Sequence, residues 1–259
     1  WLARHLEDEN VRVLDVSSAA IYGDGHIQGA VNVPSSQFIT TVGGLTNMVS
    51  PSGMFAQAMK QAGVGDDTHV IIVDAGNMLW ASRLLWTLEY YGHQDVSVLY
   101  GGMAAWRADE REVTRKAPSV GTANFSAVPN PALVITASEL LQRLDDPDLV
   151  PLDNRSPEEY HGADLRAQRG GHIPGAVNVD WNLHLEQGDV PTLKSPAELR
   201  SLYEGAGITS DKEVAAYCQT AIRGANGYMV LRLLGYEKVR VYDGSWEEWG
   251  NRADTPIEK

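Results

Sequence analysis

Cys218 is the single cysteine of this 259-residue chain, and Arg223 stands five residues after it. Gln219, Thr220, Ala221 and Ile222 lie between them, and Gly224 follows. The run Glu213-Val214-Ala215-Ala216-Tyr217 reads as a buried strand, and the residues after Arg223 read as a helix. In open parallel sheets, chemistry sits outside the carboxyl ends of the strands. A loop that curls from strand into helix turns several backbone N–H groups inward, and the helix N-terminus adds about half a positive charge. Arg223 would close that ring with a permanent cation. Together these features favour a thiolate, the nucleophilic form of cysteine, and equally an anionic persulfide or a bound oxyanion. A lone cysteine is more often a small buried hydrophobe. The strand-end position and the arginine spacing argue for a reactive role instead.

The loop belongs to a unit that occurs twice. His26-Ile27-Gln28-Gly29-Ala30-Val31-Asn32-Val33 recurs as His172-Ile173-Pro174-Gly175-Ala176-Val177-Asn178-Val179, with seven of eight positions identical. Val13-Leu14-Asp15 precedes the first copy and Pro151-Leu152-Asp153 the second. Val70–Asp74 matches Val214–Cys218, 48 and 46 residues after the respective histidines. A helical stretch then ends at Gly92 or Gly235, and Gly101…Trp106 matches Gly244…Trp249. Spacing held over five landmarks marks a duplication. We expect domains at 1–115 and 133–259, joined by an irregular linker over 116–132 that holds four prolines and glycines and few apolar residues.

Within each copy short β-branched runs alternate with helical periodicity, as in Val11–Val16 and Leu79, Leu84, Leu85, Leu88. This predicts two α/β domains, each a parallel sheet flanked by helices. Gly92 and Gly235 are placed as residues just past a helix end. Thr136…Glu139 and Ser195…Glu198 have the spacing of capping boxes.

Composition narrows the function classes. Lys+Arg 21 against Asp+Glu 34 gives 21 − 34 = −13, a surface that repels phosphate backbones and argues against nucleic acid. One cysteine excludes an internal disulfide framework and a cysteine-only metal cluster, and the seven histidines lack zinc-type spacing, so no metal or cofactor is expected. No apolar run is long enough to span a membrane. Trp1-Leu2-Ala3-Arg4 carries no signal pattern and no initiating Met, which suggests a trimmed start. The cytoplasm is the expected compartment, with the periplasm left open.

Gly171-His172-Ile173-Pro174-Gly175-Ala176, the Cys218–Arg223 loop, and Tyr242-Asp243-Gly244-Ser245-Trp246-Glu247-Glu248-Trp249-Gly250 together resemble the rhodanese family of sulfurtransferases in its tandem form, two rhodanese-like domains in one chain. The tail Ala253–Glu258 fits as well. The resemblance covers essentially the whole chain. It implies that the Cys218 thiolate attacks the outer sulfur of thiosulfate or a mercapto-oxoacid, holds it as a persulfide, and passes it to cyanide, a thiol or a dithiol protein. The implied activity is that of a thiosulfate sulfurtransferase, with 3-mercaptopyruvate as the alternative donor. The implied donor contacts are Arg223, Gln219, Thr220, Ala221, Ile222 and Gly224. Phosphatases of related fold space cysteine and arginine by five residues, whereas four stand here, which suits a tighter cup for one sulfur atom.

The pattern also departs from its relatives. Thr220 stands where thiosulfate-type loops often carry a cation, and Gln219–Arg223 does not match mercaptopyruvate-type loops. Glu159 occupies a place held by arginine in vertebrate-type enzymes. Arg166 and Arg169 are therefore candidates for a second donor-binding cation. Asp74 replaces the cysteine in the first copy; a carboxylate is no sulfur nucleophile and a poor occupant of an anion cradle, so that copy is expected to be inactive. Trp80 and Leu79 are candidates for a cleft wall there, with a helix core as the commoner use. Asp153 with Arg155, and His26 with His172, are read as structural, and Tyr242, Trp246 and Trp249 as packing for the last helix. A binding module that carries sulfur without turnover remains the second hypothesis, and a phosphatase or arsenate reductase the third. An internal duplication supplies the contact that homodimers otherwise need, so a monomer is expected.

Overall fold

The computed structural model describes all residues, 1–259. The chain divides into two compact units. The first holds Trp1–Thr40, Val49–Asn130 and Gln187–Thr192; the second holds Thr41–Met48, Pro131–Glu186 and Leu193–Lys259.

The first half carries β1 (Val11–Asp15), α1 (Ala19–Asp24), β2 (Val31–Asn32), β3 (Ile39–Val42), β4 (Leu45–Val49), α2 (Ser52–Gln61), β5 (His69–Val73), α3 (Leu79–Tyr90), β6 (Val96–Val98) and α4 (Gly102–Ala108). The second carries α5 (Ala137–Gln142), β7 (Leu149–Asp153), α6 (Pro157–Tyr160), β8 (Val177–Asn178), α7 (Pro196–Gly205), β9 (Glu213–Tyr217), α8 (Ile222–Leu233), β10 (Val239–Val241) and α9 (Ser245–Trp249). Each half builds a four-stranded parallel sheet, in the orders β2-β1-β5-β6 and β8-β7-β9-β10. The registers repeat: Asp15 pairs with Val73 as Asp153 pairs with Tyr217. The anticipated two α/β domains are what the chain forms. No helix is long and apolar enough to cross a membrane.

The central strands are apolar because both faces are covered. In β9 Val214, Ala215, Ala216 and Tyr217 are all buried. In the first unit Leu14, Phe38, Phe55, Met59, Ile72, Leu84 and Leu88 form one core. In the second, Ile135, Leu140, Ile173, Ala215, Tyr217, Tyr242, Trp246 and Trp249 do so, which places the three aromatic residues of the last motif in packing. Gly92 and Gly235 follow their helices with φ of +90° and +87°, the left-handed turn that relieves a helix end.

The ends of the helices part from expectation in detail. Ser195–Glu198 is a full capping box. Thr136 accepts the N–H of Glu139, but the Glu139 carboxylate turns to Arg240 instead. A third box, Ser156 with Glu159, was not anticipated. The expected linker is also anchored more firmly than its composition suggested. Residues up to Asn130 group with the first unit, and Phe125 is 3% exposed, edge-on to Phe55 at 5.7 Å.

His26 and His172 are fold residues, as read. Each ring stacks on a tyrosine, Tyr22 at 3.7 Å or Tyr160 at 3.6 Å, and sets Nδ1 on that tyrosine's carbonyl. Asp153 and Arg155 form a fully buried bidentate pair. The guanidinium also donates to the Gly171 carbonyl and lies 4.4 Å from the Trp246 ring. Leaving either charge alone there would be costly, so the pair locks the His172 segment to the sheet.

His184 marks a further buried polar cluster. Its Nδ1 lies 2.8 Å from the Asn226 Oδ1 and its Nε2 2.8 Å from the Tyr203 hydroxyl. Burial pushes the imidazole pKa down to about 4 from its ordinary 6.5. The unfolded chain therefore takes the proton first. This contribution to stability is complete above pH 6.5 and is lost as pH falls toward 4, by about 3 kcal/mol in all. Urea unfolding should show the stability gap between the parent and His184→Gln shrinking as pH is lowered across that window; a constant gap would contradict the assignment.

Candidate active site

Cys218 follows β9 directly, and α8 begins at Ile222. Three residues must turn the chain through the space between, and Ala221 does so with a left-handed φ of +61°. Gly224 lets α8 lie close on the strand, since a Cβ there would come within 3.1 Å of the Tyr217 backbone. Gly224 thus serves the packing of α8 on β9.

The loop is held from below by the start of α9. The Cys218 carbonyl accepts the Trp246 N–H at 2.9 Å and the Gln219 carbonyl the Glu247 N–H at 3.0 Å. Ser245 is the hub. Its hydroxyl accepts the N–H groups of Cys218 (3.2 Å) and Ala221 (3.0 Å) and donates to the Tyr242 carbonyl (2.9 Å). The sequence reading gave Ser245 no role. The signal was available: Gly102 stands at the equivalent place in the first copy, so a hydroxyl has been added only where the loop carries cysteine.

Arg223 points back over the loop. Its guanidinium faces Cys218 on one side and forms a bidentate pair with Glu159 on the other, with Nη1–Oε2 2.5 Å and Nη2–Oε1 2.8 Å. Burial alone would weaken the guanidinium as a base, but Glu159 and the sulfur more than offset that, and its pKa lies above the ordinary value. Burial would likewise raise the Glu159 pKa, yet the Arg223 hydrogen bonds hold it below the usual carboxylate range. Glu159 is 1% exposed, and its capping of Ser156 fixes where it points.

Other predicted residues sort by geometry. The Gln219 side-chain amide donates to the Arg166 carbonyl at 3.1 Å. Thr220 accepts from Asn47 at 3.1 Å, so its own O–H proton is available to donate elsewhere. Asn47 lies in the segment Thr41–Met48 of this unit, where Thr46 also binds Glu247 through N–H (2.7 Å) and hydroxyl (2.9 Å). Nothing in the local sequence signalled that this segment would reach the loop. Arg166 is half exposed, with Nε 2.8 Å from Asp164 and 3.6 Å from Glu159. Ile222 forms the first turn of α8. Arg169 is a correction: its guanidinium is spent on the carbonyls of Trp249, Gly250, Arg252 and Thr255, where it clamps the segment after α9. Cys218 itself is 1% exposed.

The first copy shows what the cradle does to an anion. Asp74 is 3% exposed, and its carboxylate accepts the loop N–H groups of Gly76 at 2.8 Å and Ala81 at 3.5 Å, with Met78 adding a third. The carboxylate sits in the cradle without being favoured by it, in keeping with the expectation of a poor occupant. Desolvation still raises its pKa, against the pull of those hydrogen bonds. Counted from the helix start, Trp80 stands where Arg223 stands in the second copy. It packs edge-on to Phe38 at the margin of the core, and Leu79 begins the helix beside it.

Comparison with known proteins agrees with this construction. The family described as rhodanese-like domain matches residues 1–109 and 136–252. The sulfur carrier protein TtuD of Thermus thermophilus is 37% identical over 100% of this chain and 94% of its own length. The thiosulfate sulfurtransferase of Azotobacter vinelandii is 35% identical over 99% and 94%. A crystal structure of SseA from Escherichia coli, described as the rhodanese fold of 3-mercaptopyruvate sulfotransferases, superposes with a TM-score of 0.85 at 30% identity, covering 95% of this chain and 96% of that one.

Replacing Ser245 by alanine leaves two buried loop N–H donors without their acceptor. Ser245→Ala should lower stability by about 1–3 kcal/mol, read from the urea midpoint. An unchanged midpoint would show that the hydroxyl does not hold the loop.

Proposed function

The chain belongs to the rhodanese-like family, and on that footing we propose that it moves sulfane sulfur from thiosulfate to an acceptor through a persulfide on Cys218. The observation that carries this reading is the single thiol set in a strand-to-helix loop with Arg223 against it. In the first half-reaction the thiolate attacks the outer sulfur. The S–S bond of thiosulfate breaks, sulfite leaves with the bonding electron pair, and Cys218 keeps the sulfur as a persulfide anion. In the second, cyanide or a thiol attacks that terminal sulfur and the Cys218 thiolate departs. One negative charge remains on the enzyme throughout, and the same cradle serves both forms. The α8 N-terminus and the Arg223 guanidinium stabilise it without reorganising.

The Thr220 hydroxyl, which accepts from Asn47, has its proton to offer to an incoming oxyanion. A nucleophile that must stay a free thiol suits a reducing compartment, and we place the protein in the cytoplasm. The relatives named for thiosulfate and for 3-mercaptopyruvate transfer leave the donor between those two. A second reading follows from the relative named a sulfur carrier: the persulfide is handed to a protein thiol rather than to a small molecule. That acceptor would show saturation at concentrations far below those needed with free thiols.

Thiosulfate and cyanide should give ping-pong kinetics, with parallel lines in double-reciprocal plots. Cys218→Ser should abolish thiocyanate formation while the protein remains folded. A serine variant with parental turnover would refute the persulfide route.

A further inference from the structure

The cation that should attract an anionic donor is already matched by an acid. Glu159 is buried and bound to Arg223 through both oxygens. Of the other cations near it, Arg166 is paired with Asp164 at 2.8 Å and Arg155 with Asp153. Arg223, Arg166 and Arg155 contribute three positive charges, Glu159, Asp164 and Asp153 three negative ones, and the sum is zero. What is left to favour an anion is the N-terminus of α8, since the N–H groups of Cys218 and Ala221 are already taken by Ser245.

From this balance we propose that Glu159 is a specificity-determining residue that weakens the binding of a dianionic donor such as thiosulfate relative to donors with a single negative charge beside the transferable sulfur, without preventing its turnover. The inference rests on the sulfurtransferase reading above. A second negative charge brought beside Cys218 meets no unmatched cation, and Glu159 repels it within the same partly desolvated space. Glu159 does not touch the reacting sulfur. It acts through Arg223, whose position it also fixes.

The test compares two donors of like chemistry and unlike charge: thiosulfate, a dianion, and methanethiosulfonate, a monoanion with the same sulfur–sulfur bond to be broken. Turnover is followed with cyanide as acceptor for the parent, Glu159→Gln and Glu159→Asp. Glutamine keeps an acceptor for Arg223 and for the cap but removes the charge. It should raise the ratio of kcat/KM for thiosulfate to that for methanethiosulfonate about tenfold, chiefly through KM for the dianion. Aspartate keeps the charge, and its ratio should stay near the parent's even if both activities fall. Equal ratios in the parent and Glu159→Gln would overturn the proposal, as would a changed ratio in Glu159→Asp alone. If the parent turns over neither donor, the sulfurtransferase reading fails as well. Turnover with an unchanged ratio leaves that reading intact and removes only this one.

Discussion

A buried negative charge at the carboxyl end of a central strand has to be met by the chain that surrounds it. Both halves of this molecule solve that problem with the same strand, the same turn and the same helix. In the first, Asp74 supplies the charge and takes the loop N–H groups for itself. In the second, Cys218 stands at that place, directly after β9. The duplicated fold presents the same strand-end position twice, and the identity of the residue there decides whether it can react. A carboxylate fills the cradle permanently, whereas a sulfur can be extended by one atom and shortened again.

The rest of the second unit is arranged around that requirement. Ser245 replaces a glycine and anchors two loop amides, so the turn does not depend on the ligand for its shape. Arg155 and Asp153 pair beneath the Trp246 ring and hold the His172 segment against the sheet. Arg169 closes the far side by collecting the carbonyls after α9. Ser245, Asp153 and Arg155 are buried and Arg169 partly so, each fixed by several hydrogen bonds, as a preorganised electrostatic site demands. The charges nearest the sulfur are matched almost one for one, which leaves the N-terminus of α8 as the remaining source of positive potential.

Much of this was legible in the sequence because duplication doubles every signal. The paired His-Ile-x-Gly-Ala-Val-Asn-Val segments, the strand endings at Asp74 and Cys218, and the glycines after each long helix fixed the domains and the reacting residue together. Features that depend on contacts distant in sequence were not legible. Arg169 looks like a free cation in a basic stretch, and only the fold brings the last carbonyls of the chain to it. Asn47 and Phe125 sit in segments with weak periodicity, and each is placed by a partner more than sixty residues away, at Thr220 or at Phe55. Glu159 was noticed as a departure from vertebrate-type enzymes, but its buried union with Arg223 could not be read from spacing alone. Ser245 was hidden inside an aromatic motif whose larger members drew the interpretation.

The central claim is that sulfur rests on Cys218 between two separate encounters. Mass spectrometry of the intact protein, recorded after exposure to thiosulfate and removal of the donor, addresses it most directly. The account predicts a gain of about 32 Da, the mass of one sulfur atom, mapping to the Cys218 peptide and lost on adding cyanide with release of one equivalent of thiocyanate. An unshifted mass from a protein that still makes thiocyanate when both substrates are present would contradict it.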